Sequence, residues 1–118
     1  MKQQTLKKEY TFEGRGLHTG KYAHLTLCPA PEDFGIRFLR TDVDLEIPAL
    51  ADRVSRTDRS TTITEGDVSV VTIEHVLSAL TGLGVDNALI KIDNEEVPIL
   101  DGSAVCYTTA IAPDGLKV

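Results

Sequence analysis

One stretch, Val70–Gly84, constrains this chain more than any other. It opens as an apolar, β-branched run suited to a strand, turns helical at Thr72 and stops at Gly82-Leu83-Gly84. Thr72 is the expected N-cap, its hydroxyl accepting from a backbone N–H two or three residues on. Glu74 then falls in the first turn, where the helix dipole favours negative charge. Ile73, Val76, Leu77, Leu80 and Leu83 recur at helical spacing and make one apolar face. Gly82 and Gly84 are expected to end the helix.

Within that first turn a carboxylate and an imidazole stand side by side, Glu74 and His75. Adjacent helical residues point about 100° apart, so the two do not chelate one ion as residues at i and i+4 can. They can serve one site in two roles, one as a metal ligand and the other as a base. A plainer reading stands beside this one: the dipole alone favours Glu74, and a single His in a first turn is commonly a surface or capping residue.

The rest of the chain alternates. Residues 3–13 read as a strand with a mostly polar and a mostly apolar face, and Tyr22–Cys28 as a second. Between them Gly14, Gly16 and Gly20 predict a tight, backbone-rich loop closing a hairpin. Pro29-Ala30-Pro31 breaks the second strand, and Ile36–Arg40 is a third. The segment 41–70 is rich in polar residues and reads as a small β insert carrying Leu45–Ile47, Ser60–Ile63 and a turn at Glu65-Gly66-Asp67. So long a loop would be unusual unless it served a site. After the helix come a strong strand, Asn87–Asp93, a turn at Asn94-Glu95-Glu96, and Val97–Leu100, where Pro98 demands an edge or loop position. A second helix is expected over Ala104–Ala112, with Asp101 or Ser103 as its cap and Pro113-Asp114-Gly115 as its end. The order predicts an α+β fold: one mostly antiparallel sheet with two helices on one face, and a small β insert.

Composition enters mainly to exclude. At 118 residues a single domain is the default. A net charge of −6 and scarce aromatics argue against a nucleic-acid surface. No apolar run approaches the ~20 residues of a membrane span. Cys28 and Cys106 form no paired motif, and with no hydrophobic targeting core at Met1–Gln4 they read as reduced, buried thiols of a cytoplasmic protein.

A hydrolytic zinc site needs three protein ligands and an open position. The chain has three histidines. His24 lies on a strand face and reads as solvated. His18 sits in the glycine loop, where it either approaches a pocket or stabilises the loop. No histidine or cysteine pair has ligand spacing, so the residues alone provide one good zinc ligand and a base, not a closed shell. Gly14-x-Gly16-x-x-x-Gly20 is not a dinucleotide fingerprint, because the third glycine is misplaced and a strand follows.

Several motifs nevertheless occur in one order: Gly16–Gly20, Pro29–Pro31, Arg40–Asp42, Thr72–Leu80, Gly82–Asn87 and Glu96–Ala104. Together they resemble the N-terminal domain of the UDP-3-O-acyl-N-acetylglucosamine deacetylases, zinc amidases of lipid A biosynthesis in Gram-negative bacteria. The resemblance spans nearly the whole chain. It implies that residues 1–118 are the N-terminal half of a two-domain enzyme, with the active site between two domains of similar topology. It implies Glu74 as general base and His75 as one zinc ligand. It implies that the Gly16–Gly20 loop and the segment Asp58–Thr61 line the substrate cleft, with Leu17, His18, Ser60 and Thr61 as substrate-binding residues. Asp101 would buttress the site or cap the second helix. The remaining zinc ligands and a general-acid histidine would come from a C-terminal domain, through an H-K-x-x-D helix that 1–118 does not contain. The chain alone is therefore expected to be inactive and to self-associate through the face a partner domain would cover, with a linker expected to begin at residues 113–118. The alternative is a non-catalytic module of the same fold, binding a nucleotide-sugar or an acyl carrier surface, or serving dimerisation.

Overall fold

The computed structural model describes residues 2–49, the backbone of 54–56, and residues 61–100 and 105–118. Its centre is a five-stranded sheet. The strands are β2 (Tyr10–Arg15), β3 (Tyr22–Pro29), β4 (Ile36–Arg40), β5 (Leu45–Pro48) and β9 (Ala88–Ile92), in the order β2-β3-β9-β4-β5. All neighbours are antiparallel except β4 and β9, which run parallel with Phe38 opposite Ile90. The α+β prediction holds: the sheet is mostly antiparallel, with helices α1 (Glu74–Leu83) and α2 (Val105–Ile111) packed beside each other.

The strand period of two explains which face they cover. Leu25, Leu27, Phe38, Ile47, Ile90 and Ile92 are fully buried and meet Val76, Ala79, Leu80, Tyr107 and Ile111 from the helices in one core. Phe12 of β2 meets Tyr107 edge-on at 4.9 Å between ring centres. Each such side chain contributes about 1.5–3 kcal/mol on full burial. Between them, on the opposite face of the sheet, lie Thr26, Lys91 and Glu46.

Four local expectations are corrected. The first strand is not continuous over 3–13. β1 (Thr5–Leu6) ends at the Lys7-Lys8 bend and β2 starts at Tyr10, because Leu6 and Tyr10 both enter the core. Leu45–Ile47, expected in the insert, belongs to the main sheet as β5, where Ile47 stands opposite Phe38 and both are fully buried. The small sheet is instead β6 (Val54–Arg56), β7 (Thr62–Glu65) and β8 (Val68–Val71), with Gly66 turning at φ +62 between the last two. Residues 116–117, expected in a linker, form β10 (Leu116–Lys117), which pairs antiparallel with β1. Cys28 is buried but Cys106 only partly so, and both are free thiols.

The small sheet is tied to the main one by Arg40. Its Nη1 donates to the Ser69 carbonyl at 2.7 Å, and its guanidinium grips Asp42 at 2.7 and 2.9 Å. That grip holds the Asp42 carboxyl below its ordinary range.

Candidate functional site

The site is built at the junction of β8 and α1. Thr72 does not cap the helix. It lies at φ +64, a left-handed conformation in which a β-branched residue is strained, and its hydroxyl points away from the helix. Ile73 occupies the N-cap position with no side-chain hydrogen bond. The N–H groups of Thr72 and Ile73 donate instead to the Thr61 carbonyl at 2.9 and 3.2 Å. Thr61 returns the contact, its N–H donating to Glu74 Oε1 at 3.2 Å. The helix entrance is thus closed by a backbone clamp from the residue just before β7.

At the other end Gly84, at φ +86, donates its N–H to the carbonyls of Leu80 and Thr81 and terminates α1. Gly82, expected to share that role, is an ordinary exposed helical residue.

Glu74 and His75 are both half-buried on the first turn of α1. Among the described residues Glu74 uses one carboxylate oxygen on Thr61, and Oε2 has no partner. His75 presents an imidazole from a rigid element. No three His, Cys, Asp or Glu side chains among the described residues converge to hold a metal ion. Among the described residues, then, His75 can serve as one ligand of a metal shell, and no three-donor group stands ready to close it.

The glycine loop approaches this junction through a residue that motif reading places in a turn. Glu96 is 1% exposed. Its carboxylate accepts the His18 N–H at 3.0 and 3.1 Å, the Thr19 N–H at 2.7 Å and the Thr72 hydroxyl at 2.6 Å. Burial pushes the carboxyl up, but the Thr72 hydroxyl and the two amides outweigh it and hold it below the ordinary range. Gly16 is required beside it: a Cβ there would overlap the Glu96 carboxylate. The signal in the sequence is that Glu96 stands directly against the apolar run Val97–Leu100, at the head of one of the ordered motifs.

The predicted site residues divide accordingly. Thr61 and Glu74 are in direct contact, and His75 is beside them. Leu17, 59% exposed, and His18, whose side chain is exposed, sit on the glycine loop, which is tied to the junction through the His18 N–H on Glu96. Ser60, Asp58, Arg59, Asp101 and Ser103 lie outside the described residues. His24 is exposed as expected, yet not merely solvated: Nδ1 faces Asp93 at 2.8 Å and Nε2 faces Glu13 at 3.1 Å.

The sequence pattern of the family described as UDP-3-O-acyl N-acetylglycosamine deacetylase (LpxC) matches residues 3–118. The bifunctional enzyme LpxC/FabZ of Porphyromonas gingivalis is 51% identical over 117 residues, which is 98% of this chain and 25% of the relative. The UDP-3-O-acyl-N-acetylglucosamine deacetylases of Teredinibacter turnerae and Cellvibrio japonicus are 49% and 51% identical over 99% and 98% of this chain. The chain spans 39% of each of those two proteins. With half its residues shared and the match running essentially end to end, the chain belongs to the UDP-3-O-acyl N-acetylglycosamine deacetylase family.

Proposed function

We propose that this chain supplies one half of the active site of a zinc-dependent deacetylase. The substrate is UDP-3-O-acyl-N-acetylglucosamine, and the bond broken is the acetamide C–N. The observation that carries the proposal is the Glu74–His75 pair on the first turn of α1, with Thr61 N–H orienting one oxygen of Glu74 and leaving the other without a partner among the described residues.

When bound, zinc supplies Lewis-acid activation of water and of the amide carbonyl. Its ligand in this chain is His75, and the other donors belong to a C-terminal domain. Glu74 Oε2 takes a proton from the attacking water as oxygen adds to the carbonyl carbon. The Thr61 N–H keeps the carboxylate from rotating away as its charge is neutralised. Glu74 then returns that proton to the leaving nitrogen as the C–N bond breaks, giving acetate and the free amine. The glycine loop, with Leu17 and His18, and the Ser60–Thr61 segment line the cleft that receives the sugar. The chain by itself is not expected to turn over.

The test is deacetylation by a polypeptide carrying this chain together with the C-terminal domain. Glu74→Gln keeps the shape and the Thr61 contact but removes the base, so kcat should fall about 10²–10⁴-fold with little change in KM. His75→Ala should lower bound zinc as well as rate. A Glu74→Gln enzyme with wild-type kcat would overturn the reading.

A further inference from the structure

Among the described residues Glu96 makes no hydrogen bond to Glu74 or His75, yet it links two parts of the site that are far apart in the sequence. We propose that Glu96 is a positioning residue. It sets the direction of the Glu74–His75 turn, acting through Thr72, and registers that turn against the Gly16–Gly20 loop. The inference rests on the deacetylase reading for its catalytic consequence, but its geometry stands on its own.

Three observations carry it. The first is strain. Thr72 at φ +64 immediately precedes Ile73, the N-cap residue of α1, and an L-residue with a branched Cβ does not hold that conformation unassisted. Its hydroxyl donates to Glu96 Oε2 at 2.6 Å. The strained backbone and the buried acceptor are therefore one device.

The second is that the backbone around Glu96 is fastened to the same junction. Val71 and Glu96 form a parallel bridge, Val71 N–H donates to the Glu95 carbonyl at 2.7 Å, and Val97 N–H donates to the Val71 carbonyl at 3.1 Å. A shift of Glu96 must move the end of β8, and the direction in which the helix leaves β8 is set there.

The third is the loop. Both amides that Glu96 accepts belong to His18 and Thr19, and Gly16 leaves room for the carboxylate by having no side chain. The loop is closed on its own account by Gly20 N–H to Gly16 O at 3.1 Å and Gly16 N–H to Lys21 O at 2.9 Å, so it moves as a unit. A buried charge that only satisfied two loop amides would not need Thr72. One that only held Thr72 would not need the loop.

The test begins on the chain itself, by amide NMR and hydrogen exchange. Glu96→Gln and Thr72→Val should each perturb Gly16–Gly20 and Thr72–His75 together and speed exchange of the Thr61 N–H, while Ala88–Ile92 stay unchanged. Thr72→Ser, which keeps the hydroxyl, should restore the wild-type pattern. Perturbation by Glu96→Gln that stops at the glycine loop, with Thr72–His75 unmoved, would overturn the proposal. The polypeptide with its C-terminal domain then separates this inference from the functional one. Glu96→Gln should lower kcat about 10- to 100-fold, a cost typical of a small misplacement, with a smaller change in KM. Normal kcat in Glu96→Gln beside an inactive Glu74→Gln overturns the positioning role alone. Full activity in Glu74→Gln overturns the deacetylase reading and leaves the NMR coupling to be judged on its own result.

Discussion

His24 illustrates how a residue dismissed on pattern acquires a partner in the fold. Glu13 and His24 are opposite one another on β2 and β3, and the end of β9 brings Asp93 to the other ring nitrogen. The hydrogen bond to Asp93 raises the imidazole above its ordinary value of 6.5; burial, the next largest effect, opposes it, and the charges of Asp93 and Glu13 add to the rise. Because the folded value is the higher one, the stabilisation is complete below pH 6.5 and is lost as pH rises through the raised value. An imidazole C–H titration should therefore show a midpoint above 6.5 in the wild type and a lower one in Asp93→Asn. A wild-type midpoint at or below the ordinary histidine value would show that the pair does not form in solution. Glu96 has the opposite sign. Its carboxyl is held low, so its contribution is present above the unfolded carboxylate range and fades as pH falls through the folded value. Glu96→Ala would strand two loop amides and the Thr72 hydroxyl, and should cost roughly 2–3 kcal/mol in denaturant unfolding.

At the scale of the element, α1 is defined by what happens just outside it. Periodicity located its apolar face well: Ile73, Val76 and Leu80 are buried, with Leu77 and Leu83 at the margin. Its two ends were harder, because an end is decided by neighbours rather than by period. Thr72 has the composition of a cap but not the backbone of one, and two glycines were candidates for the stop. The structure separates those glycines by sign. Gly84 needs its left-handed φ of +86, so Gly84→Ala should destabilise by about 1–2 kcal/mol. Gly82 is exposed in the helix with open space where a Cβ would go, so Gly82→Ala should stabilise by about 0.5–1 kcal/mol. Thermal unfolding of the two variants checks both signs at once.

Across the whole molecule, the ten-residue helix α1 sits on a sheet with the small three-stranded sheet beside its N-terminus. This places the clamp residue Thr61 and the pair Glu74–His75 in one place, with no group of three His, Cys, Asp or Glu side chains converging to hold a metal ion among the described residues. Calorimetric zinc titration of the chain alone should accordingly show no tight, stoichiometric binding, since one ligand does not make a site. Tight binding at one zinc per chain would mean that residues of this chain complete the shell themselves. Among the described residues no helix is long and apolar enough to cross a membrane.

The local sequence determined the elements and the dipeptide worth watching. Alternation at Tyr22–Cys28 and 87–93, helical spacing at 73–83 and the stop at Gly84 are short-range signals, written within a few residues of where they act. The ordered motifs identified the family, and with it a reason to look at Glu74 and His75. What only the tertiary structure decided are the contacts between distant residues. Leu45–Ile47 joins the main sheet because Phe38 must be covered, and Leu116–Lys117 becomes a strand because Thr5–Leu6 lies beside it. Glu96 becomes a hub because the fold brings His18, 78 residues away, and Thr72, 24 residues away, to one buried carboxylate. A local pattern records which residues can be buried or can form a turn. It does not record which donor a buried acceptor will meet, because that choice is made by the closure of the sheet.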